Sequence, residues 1–270
     1  MNNILPNLII IGAMKSGTSS LHNYLNLHPE IQMSSLKELD FFILEKNWNQ
    51  GLDWYSNQFP MNKEAKIFGE SSPNYTKSHI FADVPQRMAS VLPDAKLIYI
   101  LRDPIKRILS HYFHQFVDRQ EMRSLIDALQ DNNNNYINSS RYYWQLKDFL
   151  SIYKLDQVLI LTLEELEKNR NKTLQKVFDF LGVDSSFEHP AFLQNYHLSS
   201  EKRRLTNLGH TISKLPFGLR FCNLFLSFFE EKIQYPVLDE QVLMYLKSVL
   251  SEDIAQLRAL TGLKFSDWYL

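Results

Sequence analysis

Short apolar runs recur along the chain, separated by stretches in which apolar residues fall at helical spacing. Leu8 to Ile11 is the first run and reads as a strand buried on both faces. It leads into Gly12-Ala-Met-Lys-Ser-Gly-Thr-Ser-Ser20, after which Leu21, Tyr24, Leu25 and Leu27 form a helical stripe that stops at His28-Pro29. Ile67 to Gly69 predicts a second strand, Lys96 to Leu101 a third and Gln157 to Leu161 a fourth. Helices are predicted over 80–91, over 105–117 behind Pro104, and over 121–131, 142–153 and 170–181, the last stopped by Gly182. Three more are predicted over 217–231, 239–250 and 251–261. Strands that alternate with helices make an α/β protein, its central sheet mostly parallel and flanked by helices. No internal repeat interrupts this order, so 1–270 is expected to form a single domain.

Two stretches lack a clean period. Residues 30–66 are rich in aromatics, among them Phe41, Phe42, Trp48, Trp54, Tyr55 and Phe59, and are expected to wrap over the sheet edge. Those rings read either as an open apolar platform for a ligand or as core. Residues 184–212 are too long for a routine connection and carry Lys202-Arg203-Arg204, so they are expected to form a covering flap. On its residues alone, that basic triplet is equally a solvated charge run.

Composition narrows the function classes. Of the 270 residues 44% are hydrophobic and 22% charged, enough apolar material for a large core, and 29 basic against 30 acidic side chains leave a net charge of -1. That balance argues against a broad positive field for nucleic acid, while leaving room for a local anion site. The single cysteine, Cys222, rules out an internal disulfide and a thiolate metal cluster. No apolar run is long enough to span a membrane and the first residues do not read as a signal peptide, so a cytoplasmic protein is expected.

The candidate chemistry sits where strands end. Lys15-Ser16-Gly17-Thr18-Ser19 follows a strand and opens a helix, so its N–H groups, the positive helix end, the ammonium and the hydroxyls can surround a phosphate. The loop is P-loop-like without the Walker A spacing, because Lys15 precedes the second glycine. Arg102 leaves the end of the Lys96–Leu101 strand, with Ser110 two helical turns further on; the pair suits a second phosphate, unless Arg102 merely pairs with Asp103. Two separate anion sites fit a nucleoside phosphorylated at both ends. No HExxH motif or dense His/Cys/carboxylate cluster points to a metal.

These motifs resemble the sulfotransferase family, which uses 3'-phosphoadenosine 5'-phosphosulfate (PAPS) as donor. Gly12 to Leu21 is similar to the family's 5'-phosphosulfate loop, and Leu101-Arg102-Asp-Pro-Ile-Lys-Arg107-Ile-Leu-Ser110-His-Tyr112 to its 3'-phosphate motif. The layout is nearest the heparan-sulfate type, through Leu27-His28-Pro29, Lys37-Glu38-Leu-Asp-Phe41-Phe42, Gly51 to Tyr55, Gly69 to Tyr75, Phe180 to Val183 and the closing Leu260 to Trp268. The resemblance covers most of the chain. It implies a doubly wound α/β fold and transfer of a sulfuryl group from PAPS to an acceptor, expected to be a hydroxyl on a carbohydrate or small molecule, with 3'-phosphoadenosine 5'-phosphate (PAP) as product and no metal.

The resemblance implies that Lys15 stabilises charge on the leaving phosphate and that Glu38 is the general base; without it, Glu38 reads as a surface carboxylate beside Lys37. Lys15 to Ser19, Arg102 and Ser110 would hold the donor, and Lys202, Arg203 and Arg204 would close over it. Glu70, Tyr75 and Asp40 are expected on the substrate side, and Arg141 and Tyr142 along the donor cleft or in helix packing. His111 and His114 are rival bases. The chain departs from the family at Ser71, where relatives carry lysine, and at Asp40, where some carry histidine, so the resemblance reaches further for the donor than for the acceptor. A P-loop kinase, which would need a conventional Walker A and a magnesium carboxylate, and a non-catalytic nucleotide-binding protein are the competing classes.

Overall fold

A computed structural model describes residues 4–131, 134–194, 202–206 and 230–270. Five strands, β1 (Leu8–Gly12), β2 (Ile31–Met33), β3 (Ile67–Ser71), β4 (Lys96–Leu101) and β5 (Val158–Thr162), form one sheet in the order β2-β3-β1-β4-β5. Every pairing in it is parallel. The whole of β1 is buried, as a run with no polar face requires. β2 went unpredicted because it has only three residues; Ile31 and Met33 face the core, and its register is set by pairing with β3.

The helices in chain order are α1 (Thr18–Leu25), α2 (Gly51–Ser56), α3 (Val84–Val91), α4 (Pro104–Val117), α5 (Leu125–Leu129), α6 (Asn135–Asn138), α7 (Tyr142–Leu150), α8 (Leu163–Lys168), α9 (Arg170–Leu181) and α10 (Glu240–Thr261). The sequence reading placed most of these within a turn. The helix predicted over 121–131 shrinks to α5, since Ser124 caps Asp127 N–H and so starts the helix late. Those predicted over 239–250 and 251–261 are one continuous helix, capped by Asp239 and ended by Gly262 at φ 69°. The helix predicted over 217–231 lies outside the described residues up to 229, and Glu230 and Glu231 belong instead to a strand, β7 (Glu230–Ile233), antiparallel to β6 (Lys202–Leu205). Of the expected flap, 195–201 and 207–212 lie outside the described residues, whereas Pro190–Leu193 is a tight turn that buries Phe192. β6 carries the basic triplet and runs beside α4.

Two cores flank the sheet. One face buries Ile9, Ile11, Leu97 and Tyr99 against α3, α7 and α10; the other buries Leu8, Ile10, Ile98 and Ile100 against α1 and α9. The aromatics of 30–66 belong to the first core. Phe41, Phe42, Tyr55 and Phe59 are buried, and Phe41 stacks on Tyr55 with centroids 4.1 Å apart, so they form no open platform.

The start of α7 is capped from α10. Asp253 accepts from the N–H groups of Tyr143 at 3.0 Å and Trp144 at 2.9 Å, joining residues about 110 positions apart in the chain. Replacing Asp253 with alanine is expected to cost about 1–2 kcal/mol, the range of a lost cap. Urea denaturation of the folded protein measures it; an unchanged midpoint would mean the cap contributes nothing.

Candidate active site at the carboxyl end of the sheet

Because the sheet is parallel, the loops that leave β1, β2, β3 and β4 all emerge at one edge, where open α/β sheets bind ligands. The loop after β1 turns sharply. Lys15 takes φ 69° and Gly17 φ 90°, and Gly17 N-caps α1 without a side-chain bond, which leaves helix-start N–H groups directed into the loop. Both glycines are needed for space. A Cβ at Gly17 would lie 2.7 Å from Leu163 Cδ1, and one at Gly12 2.7 Å from Thr76 Oγ1. Ser16 and Thr18 are buried, and Lys15 and Ser19 are half-buried.

The loop after β4 meets this one. Arg102 donates from Nη1 to the Lys15 carbonyl at 3.4 Å, and its own carbonyl accepts from the Tyr142 hydroxyl at 2.8 Å. Asp103 does not pair with Arg102. It caps α4 by accepting from Ile105 and Lys106 N–H, and it receives Tyr269 N–H at 2.7 Å on its other oxygen. Ser110 lies buried on α4. Tyr142 is fully buried and packs on Tyr99 and Trp268, while Arg141 begins its helix, so Tyr142 supports the loop after β4 from beneath.

Three cations that spacing alone did not single out complete the site. Arg107 is fully buried with no carboxylate in contact among the described residues. Its guanidinium donates to the Met14 carbonyl at 3.3 Å, the Tyr136 carbonyl at 2.6 Å and the Ser140 hydroxyl. Burial pulls its pKa down to about 10. Lys77, in the loop after β3, is also buried, and its ammonium donates to the Met14 thioether at 3.1 Å, a weak acceptor. Burial, reinforced by the positive charges of Arg107 and Lys46, brings Lys77 down to about 8. Lys37 donates to the Ser19 hydroxyl and lies 3.3 Å from Glu38 Oε1, so it joins the phosphate-loop helix to the expected base. A buried charge that faces neutral acceptors such as carbonyls, a hydroxyl and a thioether is a signal that tertiary contact creates and no motif announces. This excess of cations over carboxylates suits a ligand that carries several negative charges.

The carboxylates divide. Glu38 is exposed, at φ 59°, with its N–H on the Ser71 carbonyl. Asp40, at φ 46°, is buried; it accepts from Lys46 and from Asn74 Nδ2 at 2.9 Å. Glu70 and Tyr75, expected as substrate contacts, are instead packed beneath the site. Glu70 is fully buried and accepts from the hydroxyls of Tyr55 at 2.8 Å, Tyr75 at 2.7 Å and Ser72 at 2.6 Å, so its polar atoms are committed within the protein. The rival bases are also placed otherwise. His111 is buried with Nδ1 facing Arg107 at 3.4 Å, and burial followed by that positive charge holds it well below its ordinary pKa; His114 pairs with Asp118 at 3.0 Å on the next turn of α4. Tyr235, after β7, packs on Phe113 of α4 with centroids 5.0 Å apart and was not anticipated as a neighbour of the site. No cluster of metal-ligating side chains occurs among the described residues, and no described helix is long and apolar enough to cross a membrane.

The strand order, together with loops that converge at the carboxyl ends of β1 and β4, defines an α/β protein of the sulfotransferase fold. A sulfotransferase from Alicyclobacillus acidocaldarius shares that fold with a TM-score of 0.75 over 99% of this chain and 100% of its own, at 24% identity. The family model described as "Sulfotransferase domain" matches residues 5–210, and the chain belongs to that family. Among curated relatives, the human bifunctional heparan sulfate N-deacetylase/N-sulfotransferase 2 is 30% identical over 201 residues, 66% of this chain and 22% of the relative. The mouse heparan sulfate glucosamine 3-O-sulfotransferase 3A1 is 30% identical over 187 residues, 66% of this chain and 46% of the relative. The chain therefore spans less than half the length of either curated relative.

Burial raises the Glu70 pKa from 4.5 to about 7, against the opposing pull of its three hydroxyl donors. A carboxyl that holds its proton more tightly folded than unfolded lends stability below about pH 4.5, and that contribution is lost as pH rises through about 7. Guanidinium unfolding from pH 5 to 8 should show wild type losing stability relative to Glu70→Gln as pH rises. Parallel curves would mean that Glu70 titrates in its ordinary range.

Proposed function

We propose that the protein transfers a sulfuryl group from PAPS to an acceptor hydroxyl on a carbohydrate or small molecule and releases PAP. The observation that carries this reading is the meeting of two strand-end loops, bridged by Arg102 on the Lys15 carbonyl, over buried cations without carboxylate partners. The residues present fit such a donor. The α1 N-terminus, Lys15, Ser16, Gly17, Thr18 and Ser19 suit its 5' end, and Arg102 and Ser110 suit a 3'-phosphate. Lys202, Arg203 and Arg204, on a strand beside α4, are assigned to cover that second phosphate.

The donor supplies a sulfuryl group on a phosphate leaving group. Lys15 and the loop N–H groups are preorganised to stabilise negative charge that develops on the phosphate, and Lys77 adds a buried ammonium at the same loop. Glu38, exposed and 3.3 Å from Lys37 Nζ, takes the acceptor's proton. Asp40, held by Lys46 and Asn74, shapes the acceptor side. Relatives named for heparan sulfate favour a carbohydrate acceptor over a phenol.

Calorimetry with PAP should show binding that weakens in Arg102→Ala and exceeds that of adenosine 5'-phosphate; equal affinity for the two nucleotides would sink the two-phosphate assignment. Radiolabelled PAPS offered with heparosan polysaccharide and with 4-nitrophenol tests the acceptor class, and label appearing only on the phenol would overturn the carbohydrate choice. With whichever acceptor takes label, Glu38→Gln should keep PAP affinity but lower the single-turnover rate by about 10²-fold. A rate near wild type would remove Glu38 as the base.

A further inference from the structure

The loop that presents Glu38 is held in a conformation it would not choose alone. Glu38 at φ 59° and Asp40 at φ 46° both lie in the left-handed region, which is disfavoured for a residue with a Cβ. Such a loop persists only if its surroundings determine it. Two of its N–H groups are held by consecutive residues at the end of β3: Glu38 N–H by the Ser71 carbonyl at 2.9 Å, and Asp40 N–H by the Ser72 hydroxyl at 3.0 Å. The first is a backbone acceptor whose direction the strand fixes. The second is a rotor, and a hydroxyl can point its proton or its lone pair at a neighbour.

Glu70 removes that freedom. The Ser72 hydroxyl donates its only proton to Glu70 Oε2 at 2.6 Å, so a lone pair is what remains for Asp40 N–H. The other carboxylate oxygen, Oε1, is held by Tyr55 from α2 and by Tyr75, and Ser72 N–H is itself anchored on the Ile10 carbonyl of β1 at 3.1 Å. We propose that Glu70 is the positioning residue of the Glu38 loop: through Ser72 it locks Asp40 N–H, and with it the left-handed path that delivers the base. The Glu70 oxygens are taken up by Tyr55, Tyr75 and Ser72, so it acts through the loop. As regards catalysis, the proposal rests on the reading of Glu38 as base.

Ser72→Ala and Tyr55→Phe each remove one hydroxyl from the Glu70 carboxylate, but only the first cuts the link to Asp40. A role in core stability alone would treat the two alike. Hydrogen exchange of the intact protein, resolved at the Glu38 and Asp40 amides, should speed up about tenfold or more in Ser72→Ala and stay within about twofold in Tyr55→Phe, a contrast of roughly 1.4 kcal/mol in local opening. Ser72→Cys, whose thiol is a weak acceptor at nearly the same place, should loosen the same two amides if the alanine variant does not fold. Transfer of radiolabelled sulfuryl from PAPS to whichever of heparosan and 4-nitrophenol takes label should slow by about 10- to 100-fold in Ser72→Ala, as for a displaced catalytic group, with PAP affinity unchanged. Equal exchange in Ser72→Ala and Tyr55→Phe, or acceleration spread evenly over the protein, overturns the proposal. A wild-type protein that neither binds PAP nor consumes PAPS would defeat the functional reading instead, and the exchange contrast would still decide the loop.

Discussion

The site depends on one constraint: β1 is buried on both faces between two parallel neighbours, so its carboxyl end cannot move without carrying β3 and β4 with it. Parallel pairing sends every strand-end loop to the same edge, and the central strand decides which loops become neighbours. The turn after β1 therefore lies between the loop bearing Lys77 and the loop bearing Arg102. Arg107 fastens this arrangement from below, reaching the Met14 carbonyl from α4 and the Tyr136 carbonyl at α6. Leaving a guanidinium in the interior is costly unless its donors are met, and here the carbonyls of the loop and of α6 meet them.

Much of this plan was legible in the chain. β1, β4 and β5 are apolar runs bounded by turn residues, and a strand buried on both faces needs no alternation to be recognised. β2 was not legible, since three residues give no period, and neither was the union of the two helices predicted over 239–250 and 251–261, a continuous helix in which Asp253 faces inward to cap α7. At the site, glycine and lysine spacing picked out the sharp turn after β1, where Lys15 and Gly17 take positive φ, because that conformation is a local matter of backbone. Arg107 and Lys37 stood in quoted motifs without a role, and Lys77 was not singled out, because what each of them touches is set by tertiary contact. A lysine written in sequence does not disclose that its nearest acceptor will be a thioether. Glu70 is the opposite case: its motif was noticed, but its burial and its hydrogen bonds from Tyr55 and Tyr75 were not legible in it.

Electrostatically the site is divided. Toward β1 and β4 the cations Lys15, Arg102, Arg107 and Lys77 gather, and after burial, repulsion from Arg107 is part of what holds Lys77 near 8. Toward β2, Glu38 and Asp40 are each matched by a lysine, Lys37 and Lys46. An anionic group entering the first region would relieve repulsion there.

The contact between Arg102 and the Lys15 carbonyl has a thermodynamic corollary. Under the proposed donor assignment, Arg102 would grip one end of the ligand while bracing the loop that receives the other end, which would make the two recognition events interdependent. The affinities of the two half-ligands would then fail to sum to that of the whole, the shortfall being a coupling free energy carried by a single side chain. A site wired in this way would measure the distance between two phosphates as well as their charge.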